Sequence, residues 1–227
     1  MKSLLDREDK IFDPPRSGCV LSLTGLPGGD GKIYDRSPYG NIGTVTGATW
    51  VMLPSGIWCL SFDGSDDYVD CGNGASLRGL TKLTAMVWIY SDDVTAGKMA
   101  IGKGWLFTDG SWVIRNDGGY LEVRLRWGAA THAVGTAISA GTWYQAVLRY
   151  SDADDLLQLY LNGSFKGEAT VTDFVGDSTY SLFLGRSQDP SYRWDGLVAS
   201  PHVYNRAFSA LEIQNHFNQG KHLFGVW

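Results

Sequence analysis

The stretch KLTAMVWIY, residues 82–90, decides the fold class. Side chains alternate between the two faces of a strand, and both faces of this one are apolar. The first face carries Leu83, Ala85, Val87 and Ile89. The second carries Met86, Trp88 and Tyr90. A strand with this pattern is predicted to lie in the middle of a sheet, with protein packed on both sides.

Three further segments predict strands of the same kind of fold. DLLQLYLNGSFKGEATV, residues 155–171, alternates around Asn162-Gly163, a dipeptide that accepts the two positive φ angles of a type I′ hairpin turn. SWVIRNDGGYLEVRLRW, residues 111–127, predicts a second hairpin with one apolar and one charged face. GTWYQAVLRY, residues 141–150, predicts another central strand. Short strands separated by turns indicate a sandwich or a barrel.

The two ends of the chain differ from this pattern. Ser209 followed by Glu212 forms a capping box, which predicts one short helix closed by Gly220. Its predicted apolar stripe is Leu211, Ile213 and Phe217. We divide the chain into an arm (1–18), a domain (19–220) and an apolar tail (221–227). The tail carries Leu223, Phe224, Val226 and Trp227, which are expected either to fold back over the sandwich or to pack on a neighbouring subunit.

The composition excludes several classes of function. Of 227 residues 44% are hydrophobic, yet no apolar run approaches the roughly 18 residues that a membrane helix needs. We therefore expect no membrane insertion. The formal net charge of −5 gives no basic surface for phosphates, so we do not expect nucleic acid as a partner. Cys19, Cys59 and Cys71 match no metal spacing and leave one thiol over from any pairing, so reduced core thiols are expected.

No catalytic motif emerges from the sequence. Sandwich glucanases use two carboxylates close together, whereas the four Glu residues of this chain are each more than forty residues from the next. The Gly-rich segment at residues 24–33 lacks the spacing of a phosphate loop. A hydrolase using Asp109 and Asp117, or the aspartates at 152–155, as acid and base stays open as an alternative, although turn capping explains these aspartates equally well.

Seven segments then occur in a consistent order from residue 34 to residue 217. They are YDRSPYGNIGTVTGATW (34–50), LSFDGSDDYVDCG (60–72), LTAMVWIY (83–90), AGTWYQAVLRY (140–150), LQLYLNGS (157–164), SLFLGRS (181–187) and WDGLVASPHVYNRAFSALEIQNHF (194–217). Together they resemble the concanavalin A-like lectin/glucanase superfamily, in particular its laminin G-like jelly-roll branch. The resemblance implies an all-β fold, a two-sheet antiparallel jelly-roll sandwich with one short C-terminal helix.

The resemblance also carries an expectation about function. Such family members are mostly non-catalytic modules that bind glycans or proteins. The Glu pair of the glucanase branch is missing here, so the resemblance implies binding without hydrolysis. Many members also carry Glu where this chain has Met86 and an acid where it has Ala199, and any role of those acids is lost in this chain. We expect a carbohydrate-binding or adhesive module whose partner is a glycan or a surface protein. The alternative is a structural or decoration subunit, assembling with itself or with a phage shell without binding glycan.

The expected location follows from the start of the sequence. Residues 1–18 show no secretion signal, which is unusual for an extracellular lectin. A phage structural protein would resolve this, because it is made in the host cytoplasm and reaches the outside with the particle. We therefore expect display on a virion or another extracellular surface, with the arm as an anchor.

A structural calcium ion is the cofactor that the resemblance implies. Calcium takes six to eight oxygen ligands. The expected ligands are Asp35 and Asn41 in the early loop, Asp195 before the last strand and Asp63. One ion at these residues would tie the two ends of the domain together. The alternative is that all four residues cap turns.

Aromatic and arginine residues are the candidates for ligand contact. We assign Trp50 and Trp88 to the structure. Aromatic side chains in predicted loops offer faces on which a sugar ring stacks: Trp105, Trp112, Tyr192 and Trp194. Arg124 and Arg126, on the polar face of their strand, are candidates for contact with hydroxyls or an acidic sugar. The alternative is ordinary sheet surface with cross-strand partners.

Overall fold

The computed structural model describes residues 16–24, 29–95, 97–104 and 108–226. Its strands are β1 (Cys19–Ser22), β2 (Lys32–Ile33), β3 (Gly43–Thr46), β4 (Thr49–Met52), β5 (Trp58–Asp63), β6 (Tyr68–Asp70), β7 (Lys82–Ser91), β8 (Lys98–Lys103), β9 (Ser111–Asp117), β10 (Tyr120–Trp127), β11 (Ala130–Ala137), β12 (Trp143–Ser151), β13 (Leu156–Leu161), β14 (Ser164–Thr170), β15 (Leu182–Leu184) and β16 (Asp195–Tyr204). Its helices are a 3-10 turn (Ala75–Leu77), α1 (Ala210–Gly220) and a second 3-10 turn (Lys221–Phe224).

The strands form two antiparallel sheets of eight strands each among the described residues. Sheet A has the order β14-β13-β12-β7-β16-β5-β4, with β1 paired to β16. Sheet B has the order β11-β10-β9-β8-β15-β6-β3-β2. The prediction of an all-β sandwich with one short C-terminal helix is confirmed.

The strand β7 lies near the centre of sheet A, between β12 and β16, as its sequence predicts. Leu83, Ala85, Val87 and Ile89 pack in the main core between the two sheets. Met86 and Trp88 are buried on the opposite face. Both predicted hairpins are present, and Asn162 and Gly163 have the positive φ angles, 52° and 72°, of the predicted turn.

The outer face of sheet A is covered by the end of the chain. Trp88 stacks on Phe224, with ring centroids 4.2 Å apart, and on Phe217 at 5.8 Å. Leu223 and Val226 pack against the same cluster. We call α1 together with residues 221–226 the C-terminal cover. The described part of the tail therefore folds back over its own sandwich, which was one of the two expectations; Trp227 lies outside the described residues.

A pair of histidines lies in the interface between the cover and sheet A. A bulge in β16 between Ala199 and His202 turns His202 toward the cover, where its ring meets that of His216 on α1 at 5.6 Å. Nδ1 of His216 lies 2.8 Å from Nε2 of Gln145, and Nδ1 of His202 lies 3.0 Å from the carbonyl oxygen of Ser200. The Nε2 atoms of both histidines are buried and lack a hydrogen-bond partner within the described chain.

The C-terminal helix and the three cysteines test two local predictions. The capping box of Ser209 and Glu212 is present, but Leu211 is 65% exposed, so the predicted stripe is wrong at this position. The helix buries Ile213, His216 and Gly220 instead, because these positions recur at the spacing of one helix face. The three cysteines are buried and unpaired, as expected.

Of the predicted arm at 1–18, residues 1–15 lie outside the described part of the chain. Within the described residues, no helix is long and apolar enough to span a membrane.

The histidine pair predicts loss of stability in mild acid. Burial lowers the pKa of His216 to about 4, and burial together with the neighbouring His216 lowers the pKa of His202 well below its usual value. In the unfolded chain a histidine binds its proton near pH 6.5, so protons favour unfolding below that pH. From pH 7.5 to pH 5, His216 alone is expected to cost about 2 kcal/mol of unfolding free energy.

Urea unfolding of the wild type at both pH values measures this loss. His216→Gln should show a smaller pH dependence, whereas His222→Gln, at an exposed histidine of the same cover, should keep it. An equal pH dependence in His216→Gln and the wild type contradicts the prediction.

Candidate functional site

The outer face of sheet B carries a row of polar side chains on β10. Leu121, Val123 and Leu125 point into the core, so the residues between them point outward. The outward row is Tyr120, Glu122, Arg124 and Arg126. Tyr120 is 57% exposed, and the other three are partly buried. The polar face that the sequence predicts for Arg124 and Arg126 is therefore present.

The neighbouring edge strand β11 provides a low surface beside this row. Cross-strand partners project from the same face of a sheet. The partners of Tyr120, Glu122, Arg124 and Arg126 are Ala137, Gly135, Ala133 and Thr131, respectively. All four are exposed and short. We call these eight residues the β10–β11 face; in it a row of larger polar side chains lies beside a row of short, exposed ones.

Two arginines and two carboxylates are linked at one end of this face. Oε2 of Glu122 accepts hydrogen bonds from Nε of Arg115 and from Nη2 of Arg124, each at 2.8 Å. Arg115, whose side chain is 6% exposed, also contacts Asp117 through Nη2. Because each guanidinium is held by a carboxylate, both are fixed in orientation before a ligand arrives. Arg126 lies outside this network; within the described part of the chain its side chain donates to Oγ1 of Thr131, at 3.3 Å.

Tyr192 reaches the same outer face from the loop before β16. It packs against Met99 and Val113, and Met99 pairs with Arg115 across β8 and β9. Gly97 lies beneath this contact, because a Cβ built on it would lie 3.4 Å from the Tyr192 ring and 3.5 Å from Nη1 of Arg115. The structure thus brings the predicted Tyr192 near Arg115 of β9.

The predicted aromatic platforms on tryptophan are wrong at two positions. Trp112 is 1% exposed and Trp194 is 0% exposed, so neither offers a ring to a ligand. Trp112 lies on β9 two residues before Ile114 and shares its core-facing side. Trp194 belongs to the same core, and its backbone N–H donates to the carbonyl of Gly185. Trp105 lies outside the described residues.

Sequence reasoning missed Arg115 and Tyr120. The signal was available in the strand alternation. It places Arg115 on the face of β9 that is opposite to the face of Trp112 and Ile114, and it places Tyr120 on the same face of β10 as Arg124. The small residues of β11 formed no motif that would single out this strand. Trp50 and Trp88 have structural roles, as predicted. Trp50 is partly buried against the core, and Trp88 is fully buried under the C-terminal cover.

Comparison with known proteins supports the fold derived from these elements. A laminin G family model, described as the concanavalin A-like lectin/glucanases superfamily, matches residues 63–214. The chain belongs to this superfamily. The resemblance stated from the sequence motifs is therefore confirmed. No curated protein matches the chain.

Several solved structures share the fold of this superfamily member. The binding domain of Paraclostridial Mosquitocidal Protein 1 has a TM-score of 0.73 at 14% identity, over 93% of this chain and 56% of that one. The ligand binding domain of botulinum neurotoxin serotype D in complex with N-acetylneuraminic acid has 0.72 at 15%, over 89% and 51%. The binding domain of botulinum neurotoxin DC in complex with rat synaptotagmin II has 0.66 at 12%, over 90% and 52%. The chain spans about half of each, and at these identities the likeness establishes the fold alone.

The positions where many superfamily members carry acids are occupied differently in this chain. Met86 and Ala199 lie on the outer face of sheet A, 1% and 2% exposed. Both belong to the apolar clusters beneath the C-terminal cover. An acid at either position would be buried without water, which is costly for a charged group. The cover and the loss of the two acids are therefore consistent with each other.

The early-loop residues expected to bind calcium are engaged in hydrogen bonds. Oδ1 of Asp35 accepts from the N–H groups of Ser22 and Ser37, and Oδ2 accepts from the N–H of Asn41 and the hydroxyl of Ser37. The side-chain amide of Asn41 donates to the carbonyl of Val20 and the hydroxyl of Ser76. Four donors around one carboxylate leave little room for a cation, so this donor set does not fit calcium.

The other two expected ligands lie on neighbouring strands. Asp195 pairs with Asp63 across β16 and β5, and its Oδ2 lies 3.3 Å from the Lys98 ammonium. A positive charge at that distance opposes a second cation at Asp195. Asp63 instead lies with Asp66 and Asp67, whose carboxylate oxygens are within 4.8 Å of one another. The four expected ligands thus do not form one cluster.

The hydrogen bonds of Asp35 predict a structural role that is independent of calcium. Asp35→Ala removes the acceptor of four donors, and hydrogen bonds to a charged group are worth about 1.5–3 kcal/mol. We expect the variant to lose roughly 2–4 kcal/mol of unfolding free energy, equally in calcium and in chelator. Chemical denaturation under both conditions measures this. A loss that appears only in the presence of calcium would return Asp35 to the role of a metal ligand.

Proposed function

We propose that this chain is a non-catalytic carbohydrate-binding module and that the β10–β11 face is its ligand-binding surface. The observation that carries the proposal is the difference between the two outer faces. The outer face of sheet A is closed by the C-terminal cover, whereas the β10–β11 face presents an exposed aromatic ring and oriented arginines beside a low edge strand. Stacking on an aromatic ring and hydrogen bonds from fixed polar groups are what a sugar requires of a binding site.

The solved relatives of similar fold support a binding function. They include the binding domain in complex with N-acetylneuraminic acid and the one in complex with rat synaptotagmin II. A glycan and a surface protein are therefore both reasonable partner classes for this fold. The polar side chains of the β10–β11 face favour a glycan, because a protein interface normally has an apolar centre.

Three ion pairs favour binding over hydrolysis. Glycoside hydrolysis needs two carboxyl groups facing the scissile bond, about 5 to 10 Å apart. On the open face, Asp117 contacts Arg115, and Glu122 contacts Arg115 and Arg124. Both carboxylates are thus engaged in ion pairs with arginines. The alternative that used Asp117 as an acid or base thus loses its support.

We also propose that the module acts on a virion or another extracellular surface, where glycans are accessible. The alternative of a decoration subunit drew on the apolar tail. Phe224 is buried against Trp88 of the same chain, so its burial needs no neighbouring subunit.

We also propose calcium at the Asp63, Asp66 and Asp67 group, in which Asp63 alone was an expected ligand. Carboxylate oxygens are the donor chemistry that calcium prefers. Oδ2 of Asp67 accepts the N–H of Asp63, and Oδ1 of Asp63 accepts the N–H groups of Ser65 and Asp66, which orients the carboxylates of this turn. A bound ion would relieve the repulsion between three neighbouring negative charges and so stabilise the turn.

Binding to a glycan array tests the proposed function. We expect the wild type to bind a set of glycans, and Tyr120→Ala and Arg124→Ala each to weaken that binding about tenfold, the scale of one lost charged or stacking contact. Tyr39→Ala is the matched control, because Tyr39 is similarly exposed but lies in the loop between β2 and β3. The proposal fails if no glycan binds, or if both variants bind as the wild type does.

Thermal melting tests the calcium proposal. We expect calcium to raise the Tm of the wild type relative to chelator and to leave the Tm of Asp66→Asn unchanged. Asp173→Asn, at an exposed aspartate elsewhere, should respond like the wild type. An unchanged Tm in the wild type, together with no bound metal by elemental analysis, rejects the site.

A further inference from the structure

We propose that the β10–β11 face selects an acidic oligosaccharide, which runs along β10 and places a carboxylate or sulfate group at Arg126. This inference rests on the proposed function and names its ligand class. It follows from the charge, the reach and the polarity of the row formed by Tyr120, Glu122, Arg124 and Arg126.

The charges on this face do not cancel. Among its eight residues, Arg124 and Arg126 contribute two positive charges, and Glu122 contributes one negative charge. Both hydrogen bonds that Glu122 accepts from arginine fall on Oε2 and come from Arg115 and Arg124. Arg126 forms no ion pair with a described carboxylate. One positive charge therefore remains, in a chain whose formal net charge is −5.

Arg126 is partly buried, and a hydrogen bond to β11 orients its guanidinium. Its Nη1 donates to Oγ1 of Thr131 at 3.3 Å, and its Nε is shielded from solvent without a partner. The neighbouring β11 positions, Thr131 and Ala133, are exposed and short, so they leave space above the guanidinium. Arginine binds carboxylate and sulfate oxygens through two parallel N–H groups, which suits it to an anionic ligand group.

The row has a direction. Tyr120 and Arg126 are six residues apart on one strand, or roughly 20 Å at 3.3 Å per residue, so the row is longer than one sugar ring. Glu122 lies toward the Tyr120 end and repels an anion there, whereas Arg124 and Arg126 form the opposite end. The anionic group is therefore assigned to the Arg126 end. A neutral part of the ligand then lies over Glu122, whose carboxylate accepts sugar hydroxyls, and over the ring of Tyr120.

The alternative is that Arg126 is an ordinary surface arginine. Elsewhere in the chain, Arg149 binds Asp154 at 2.9 Å and Arg206 binds Glu212 at 2.7 Å, whereas Arg186, also partly buried, donates to the carbonyl oxygens of Ser187 and Gln188. An ordinary role predicts that a neutral glutamine at position 126 leaves ligand choice unchanged. The two accounts therefore differ in specificity, which is measurable, and not only in affinity.

The experiment compares matched ligands that differ in one anionic group. Lactose, sialyllactose and sulfated lactose, together with a glycan array of acidic and neutral pairs, are tested on the full chain by calorimetry and array binding. We expect the wild type to prefer the acidic member of each pair at least about tenfold, as for one charge-assisted contact. The sialylated and sulfated arms separate the two sources of negative charge.

The variants decide which residue is responsible. Arg126→Gln should lose the preference and bind the acidic and neutral members of each pair about equally. Lys166→Gln, which removes an exposed positive charge on β14 of sheet A, should keep the wild-type preference. Added salt should weaken acidic-ligand binding in the wild type more than in Arg126→Gln, because salt screens an exposed ion pair.

The outcomes separate the inference from the proposed function. Equal binding of acidic and neutral members by the wild type, or an acidic preference retained in Arg126→Gln, overturns the inference while the glycan-binding function stands. The absence of binding to any glycan overturns both.

Discussion

The burial of β7 on both faces is the constraint on which the rest of the molecule depends. One face of β7 fills the core between the sheets, and the other needs a second apolar layer, which the end of the chain supplies. Trp88 lies under Phe224 and Phe217, and aromatic pairs of this kind add about 1 kcal/mol to the gain from burial alone. The cover occupies one outer face of the sandwich, and the proposed ligand site lies on the other.

The open face gains its properties from strand alternation. Leucine and valine on β10 face the core, so the glutamate and arginines between them face outward in a row. Pairing with β9 brings Arg115 within hydrogen-bond distance of Glu122, and pairing with β11 sets small residues beside the row. Two ordinary hairpins thus produce a surface on which polar groups are fixed and a ligand has room.

The parts of this account that were predictable from sequence are those with local signals. The two-sided apolar pattern of β7, the Asn162-Gly163 turn and the Ser209–Glu212 capping box each lie within a few residues, and each is present. The assignment of Trp112 failed because its Gly and Ser neighbours suggested a loop, although its alternation with Ile114 indicates a core strand.

Other features depend on residues that are distant in sequence. The carboxylate of Asp35 is occupied by the N–H of Ser22, a contact across 13 residues that no local pattern reveals. Trp194 is buried by packing with elements from the whole chain. The meeting of His202 with His216 depends on a bulge in β16, which the sequence does not announce.

We propose the open outer face of sheet B as the ligand-binding surface. Amide chemical shifts of the isotope-labelled full chain, followed during titration with the glycan that binds most tightly, test it most directly. The account predicts shifts concentrated in residues 115–126 of β9 and β10 and in residues 130–137 of β11, with the C-terminal cover unaffected. Shifts concentrated in the cover, or at the β4 edge of sheet A, would contradict it.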